Sequence, residues 1–242
     1  MTSNGNAPLS RRERPAKPAL TRAGIVSAAV RIMRSEGLQK VTMRRLALEL
    51  DTGPASLYVY VRNTAELHAA VLDELLGTVD LAPARADDDW RERLIEVLTS
   101  CTTVLFAHPE LARSALVARP SGEHYLRLVE TLLALLDEGG VPAGQAAWGV
   151  DLLLQYATAT AAEHATQAHA VENQDDWDAL TRALHGASRD THPHIAGLAA
   201  ELLSGEPQAR FVWGLRVLLN GIVHTPTPAP TPTPAPQQGA QS

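Results

Sequence analysis

Between residues 20 and 224 apolar side chains recur at spacings of three and four, and no run of alternating β-branched residues interrupts them. That period belongs to helices with one buried face, so the pattern predicts an all-α protein. Thr21 is placed to cap a first helix, with Ile25, Ala28, Ala29, Ile32 and Met33 on its inner face and Gly37 as its stop. Three short elements follow. Beyond them the pattern predicts long helices over 90–107, 109–118, 122–138, 142–171, 176–186, 193–203 and 207–224, most of them bounded by proline or glycine.

The short elements carry the most information. In VTMRRLALELDTGPASLYVYVRNTAEL (41–67), Thr42 can cap a helix whose apolar face is Met43, Leu46, Ala47 and Leu50. Asp51 falls where the chain must turn, and Thr52 can cap a second helix over 53–61 with Pro54 in its first turn. Leu57 and Val61 point inward on that helix, leaving Pro54, Ala55, Ser56, Val59 and Tyr60 outside. Asn63 and Glu66 have the spacing of a capping box for the next helix. Two helices joined by a tight turn, the second with a small uncharged outer face, suit entry into a DNA major groove about 12 Å wide. Tyr58 and Tyr60 can offer hydroxyls to phosphates, and Arg44 can reach a guanine edge.

Charge sharpens this reading. The chain of 242 residues carries −6 overall. Residues 9–63, however, hold eleven basic side chains against four acidic ones, so this stretch is +7 and the remainder −13. A basic module on an acidic body can attract phosphate without making the whole molecule a polyanion binder. Residues 1–19 read as a disordered basic arm, residues 20–66 as a helix-turn-helix domain, 67–224 as a larger helical domain and 225–242 as a disordered Pro/Thr-rich tail. The single cysteine, Cys101, excludes an internal disulfide and a multi-cysteine metal site. With no signal-peptide pattern and no apolar run of about 18 residues, the expected setting is cytoplasmic, without a membrane partner.

From residue 20 to about residue 76 the chain resembles the DNA-binding domain of the TetR family. The carrying segments are TRAGIVSAAVRIMRSEG, VTMRRLALEL and GPASLYVYVRN, with Leu57–Val61 as the L-Y-x-(Y/H)-(V/F) core. The resemblance implies DNA contacts by Thr42, Arg44, Arg45, Thr52, Pro54, Ala55, Ser56, Tyr58, Val59, Tyr60, Arg62 and Thr64. Two positions depart from the family pattern: Asp51 stands where glycine is common, and Thr64 where a lysine usually opens the fourth helix. Residues 105–164 are similar to the tetracycline-repressor type of C-terminal domain. That likeness implies a homodimer built through residues 146–166 and 207–224, and a pocket for a small, apolar effector. Ala157, Ala159, Ala161 and Ala162 suit close helix approach, and Phe211, Leu215, Leu218 and Leu219 suit an apolar seam.

The expected pocket residues are Phe106, His108, Tyr125, Leu128, Leu132, Trp148, Leu152, Tyr156 and Trp177, apolar groups with a few hydrogen-bonding handles. No cofactor or metal is expected: His192-Pro193-His194 lacks acidic or cysteine partners nearby in sequence. Neither Glu163 with His164 nor Ser121 with His124 belongs to a catalytic motif, so no enzyme is expected. The expected function is a transcriptional repressor released from a palindromic operator by a ligand. The alternative is a helical small-molecule-binding or interaction protein whose DNA binding has degraded, a reading that rests on Thr64.

Overall fold

The computed structural model describes residues 19–85, 87–116, 120–167 and 172–228, and every regular element among them is helical. The expected basic arm and most of the Pro/Thr-rich tail lie outside the described residues, as do the expected helix ends at 118 and 171. The chain divides into two compact units after Leu67.

In the first unit, α1 (Arg22–Glu36) is capped by Thr21, whose hydroxyl accepts from the Gly24 amide at 3.0 Å. It ends at Gly37, where φ is +90°. A 3-10 turn, Leu38–Lys40, leads to α2 (Met43–Glu49) and α3 (Pro54–Leu57). Helix α2 packs on both α1 and α3, burying Ile25, Ala29, Ile32, Leu46, Leu57 and Val61 in a common core.

Helix α4 (Thr64–Leu76) opens the body, followed by α5 (Trp90–Phe106), α6 (Pro109–Ala115), α7 (Glu123–Glu138) and α8 (Ala143–Gln167). Then come α9 (Glu172–His185), α10 (Pro193–Leu203) and α11 (Pro207–His224). Helix α8 is the hub, in contact with α5, α6, α7 and α11. Its buried stripe, Ala146, Val150, Leu153, Ala157 and Ala161, repeats at three and four residues. At Gly149 a Cβ would come within 2.8 Å of Ile222, and at Gly214 within 2.1 Å of the Tyr156 hydroxyl. These two glycines let α8 and α11 approach closely.

That packing relocates one expectation. Ala157, Ala161, Ala162, Phe211, Leu215 and Leu219, read from the sequence as a seam between subunits, are buried within the single subunit. The large apolar groups that α8 and α11 leave exposed are Trp148, Leu152, Trp213 and Val217.

Candidate nucleic-acid interface and ligand cavity

The turn between α2 and α3 is built by backbone hydrogen bonds around Asp51. The Thr52 amide donates to the Ala47 carbonyl at 2.9 Å, and the Asp51 amide to the Leu48 carbonyl at 3.2 Å. Together they close a Schellman motif, which requires a left-handed residue at its apex. Asp51 has φ +47°, a conformation that Asp tolerates better than most residues with a Cβ. The glycine common in the family is thus replaced without loss of the turn.

Helix α3 is shorter than the 53–61 expected. After Leu57 the backbone tightens, with the Tyr60 and Val61 amides both donating to the Leu57 carbonyl at 2.9 and 3.0 Å. Tyr58, Val59, Tyr60 and Val61 are β-branched or aromatic and favour helix weakly. Tyr60 is also tethered: its hydroxyl donates to the Leu20 carbonyl at 2.8 Å. Its hydroxyl proton therefore points into the unit, holding the segment before α1.

Pro54, Ala55, Ser56, Tyr58 and Val59 are exposed together on α3 and its following turn, Val59 by 79%. On α2 Arg44 is exposed, and one turn later so is Leu48, by 71%. Leu48 lies off the apolar face of Met43, Leu46, Ala47 and Leu50 expected from the sequence, which did not single it out. Thr42 caps α2, its hydroxyl accepting from the Arg45 amide at 3.2 Å. Arg45 itself pairs with Glu36 at 2.6 Å and Glu49 at 3.0 Å, so its guanidinium locks α1 to α2. That hydrogen bond from Arg45 holds the Glu36 carboxyl below the usual carboxylate range.

Thr52 is half-buried, while Arg62 and Thr64 are exposed at the start of α4. The Asn63 side chain accepts from the Glu66 amide at 2.8 Å, and Glu66 in turn accepts from the Arg62 amide at 2.9 Å and its guanidinium at 3.0 Å. The box thus closes one residue earlier than the usual reciprocal form. These bonds from Arg62 hold the Glu66 carboxyl below its ordinary value.

In the body a cavity of about 410 Å³ lies among α4 to α8. Of the expected residues, Tyr125 and Leu128 line it. The others fall elsewhere. Leu132 is buried in the core of α7, and Phe106 meets the His164 ring at 4.6 Å. His108 occupies the N-cap position of α6, Tyr156 stacks on Phe211 at 5.5 Å, and Trp177 is exposed on α9. Trp148 and Leu152 border a separate groove beside α11. Phe106, Tyr156 and Phe211 pack against other rings between helices, and the cavity is lined, Tyr125 apart, by aliphatic, small and polar residues. Leu72, Leu76, Cys101, Leu105, Asp151 and Gln155 also line it. Their one legible trace in the sequence was the polar stripe Asp151, Gln155, Thr158 in the middle of α8. Burial pushes the Cys101 thiol up to about 12, so that wall is uncharged.

One polar link ties this cavity to α4. Asp73 accepts from the Tyr125 amide at 2.9 Å, capping α7 at an end whose own N-cap residue, Gly122, has no side chain to offer. A Cβ on Gly122 would lie 2.0 Å from the Asp73 carboxylate, so glycine is what admits this cap from another helix.

With this geometry in hand, two family models match the chain: "Bacterial regulatory proteins, tetR family" over residues 25–71 and "Tetracyclin repressor-like, C-terminal domain" over residues 82–225. The chain belongs to the TetR family. It is similar to a Streptomyces coelicolor structure assigned as a transcription regulator, SCO7704, with 61% identity, a TM-score of 0.76, and coverage of 89% of this chain and 100% of that one. It is also similar to Streptomyces coelicolor ActR in complex with actinorhodin, at 34% identity and TM-score 0.74, covering 85% and 96% of the two chains. A third relative is the HTH-type transcriptional repressor DrrR1 of Streptomyces coeruleorubidus, 27% identical over 218 residues, covering 88% of this chain and 80% of that protein.

Among the described residues no group of three or more His, Cys, Asp or Glu side chains could hold a metal ion, and no helix is long and apolar enough to cross a membrane. Members of this family are generally DNA-binding proteins without enzymatic activity.

Proposed function

We propose that this TetR-family regulator is a homodimeric repressor that leaves its operator when a small molecule fills the cavity in its body. The observation that carries the reading is the exposed face of α3, where Pro54, Ala55 and Ser56 leave room for close approach to a groove, with Arg44 exposed on α2. Arg44 reads a base edge, and Ala55, Ser56 and Val59 pack against the groove floor. Thr42, Thr52, Tyr58, Arg62 and Thr64 meet phosphates. Arg45 and Tyr60 serve chiefly by holding these side chains in register. The +7 charge of residues 9–63 supplies the salt-dependent part of the affinity.

The exposed Trp148, Leu152, Trp213 and Val217 support a two-fold interface formed by α8 and α11, which aligns two reading heads with an inverted repeat. DrrR1 is a repressor and ActR a protein found with actinorhodin bound, which supports both halves of the reading. A ligand that favours the free conformation lowers operator affinity, and by linkage the operator lowers ligand affinity by the same factor.

Selection from a randomised DNA pool tests this. An inverted repeat should emerge, bound at least about 1,000-fold more tightly than scrambled DNA. Equal, steeply salt-dependent affinity for every sequence would instead show that the head no longer reads bases.

A further inference from the structure

We infer that residues 229–236, APTPTPAP, strap the groove between α8 and α11 of their own subunit and compete with the second subunit for that face. The competition rests on the dimer reading above; the strap does not. The chain turns back onto the body where α11 ends. The Gln145 side-chain amide donates to the Ile222 carbonyl at 2.7 Å and to the Val223 carbonyl at 3.3 Å, tying the last turn of α11 to the first turn of α8. From there Thr225, Pro226, Thr227 and Pro228 form one wall of the groove, which Trp148, Leu152 and Val217 also line. Thr227 lies over Gly144, where a Cβ would come 3.1 Å from the threonine hydroxyl. The tail is therefore already at the groove when it reaches residue 229.

Helices α8 and α11 run antiparallel, since Gln145 meets Ile222 while Tyr156 stacks on Phe211. The groove follows α8 from Gln145 to Gln155, a rise of about 15 Å. Its floor is open at Gly221, where a Cβ would meet nothing within 4 Å, and Trp148 and Leu152 stand exposed beside it. Residues 229–236 in polyproline II geometry span about 25 Å, enough to cover that length. Proline at 230, 232, 234 and 236 fixes φ at every second position, so little chain entropy is lost on docking. A proline-rich extended segment seats well in a groove that carries tryptophan. Asp151 and Gln155 on the rim offer acceptors to the amides of Thr231 and Thr233, the donors that the prolines lack. Tethering supplies the strap at an effective concentration on the order of millimolar, so a weak contact suffices to hold it. The residues it covers, Trp148, Leu152 and Val217, are among those offered to a second subunit. A subunit must shed its strap to dimerise.

The test compares the full chain with one ending at Pro228 and with a full-length variant carrying Pro230→Gly, Pro232→Gly, Pro234→Gly and Pro236→Gly. Sedimentation equilibrium should show both altered chains dimerising at least about 10-fold more tightly than the parent. Below the concentration at which dimers form, acrylamide should quench the tryptophans of the parent less than those of either altered chain. Trp148→Phe, introduced into each chain, should erase that difference. Equal quenching in all three chains overturns the strap. Weak dimerisation that persists in the glycine variant, and is relieved only by shortening the chain, makes the tail a bulky hindrance and overturns it as well. A strap seen by quenching with dimer affinity unchanged overturns the competition. Dimers absent from all three chains overturn the dimer reading and with it the competition, while quenching still decides the strap.

Discussion

The α2–α3 head and the α8–α11 face are both exposed, yet they are finished in opposite ways. Around the head the polar atoms are engaged locally: Thr42 caps α2, Arg45 joins Glu36 to Glu49, and Asn63, Glu66 and Arg62 close the start of α4. Its outward surface carries small and basic groups together with the exposed Leu48, Tyr58 and Val59. On α8 and α11 two tryptophans, a leucine and a valine lie in solvent, with Asp151 and Gln155 beside Trp148 and Leu152. A preorganised polar surface suits a hydrated, charged partner, whereas an unfinished apolar one gains from burial against another apolar surface. Under the proposed function the first region meets DNA and the second meets another subunit.

The largest expected break in that contrast is Trp213→Asp with Val217→Asp. Two charges on the α11 face should weaken dimerisation by at least about 100-fold, since a buried tryptophan alone contributes several kcal/mol. Sedimentation velocity reads this directly. Unchanged association would place the dimer interface elsewhere. The fold of the subunit should persist, because both side chains are exposed.

Asp73→Ala removes the cap on α7 and should cost about 2 kcal/mol in urea unfolding of the body. Should stability hold, the 2.9 Å bond to Tyr125 carries no weight. In the head, Asp51→Val should destabilise by about 1 kcal/mol, because a β-branched residue fits φ +47° poorly. Asp51→Gly should match or exceed the parent. Thermal melts of the pair decide whether the left-handed turn is as placed.

The smallest effect is one of pH. Glu36 and Glu66 are both held below the ordinary carboxylate value, by Arg45 and Arg62. A depressed folded-state value means stability that is fully present above the unfolded value and lost as pH falls toward the folded one. The head should therefore weaken below about pH 4, and Glu66→Gln should flatten part of that loss. Acid titration of both proteins by circular dichroism checks it.

The head was more legible in the sequence than the cavity, for a physical reason. Caps and turns depend on residues adjacent in sequence, so Thr21, Thr42, Asp51 and Asn63 announced their positions. The length of α3 was overestimated because apolar spacing at Leu57 and Val61 suits either a helix or the tighter turn observed. A cavity instead gathers residues from five helices, and what lines it is whatever packing leaves over. Aromatic content pointed to Phe106, Tyr156 and Trp148, yet large rings are the groups best able to fill a helix seam or cover an outer face. The same ambiguity sent Phe211 and Leu215 to the wrong side of α11, since an apolar stripe does not say which neighbour it meets.

The most direct test of the central claim compares the parent and Arg44→Ala on the selected inverted repeat and on scrambled DNA across a range of salt. The account predicts that the ratio of specific to scrambled affinity falls by about 10-fold or more, while binding to scrambled DNA and its salt slope scarcely change. Equal loss on both DNAs would make Arg44 a phosphate contact and contradict the assignment of the α2–α3 face as the surface that reads sequence.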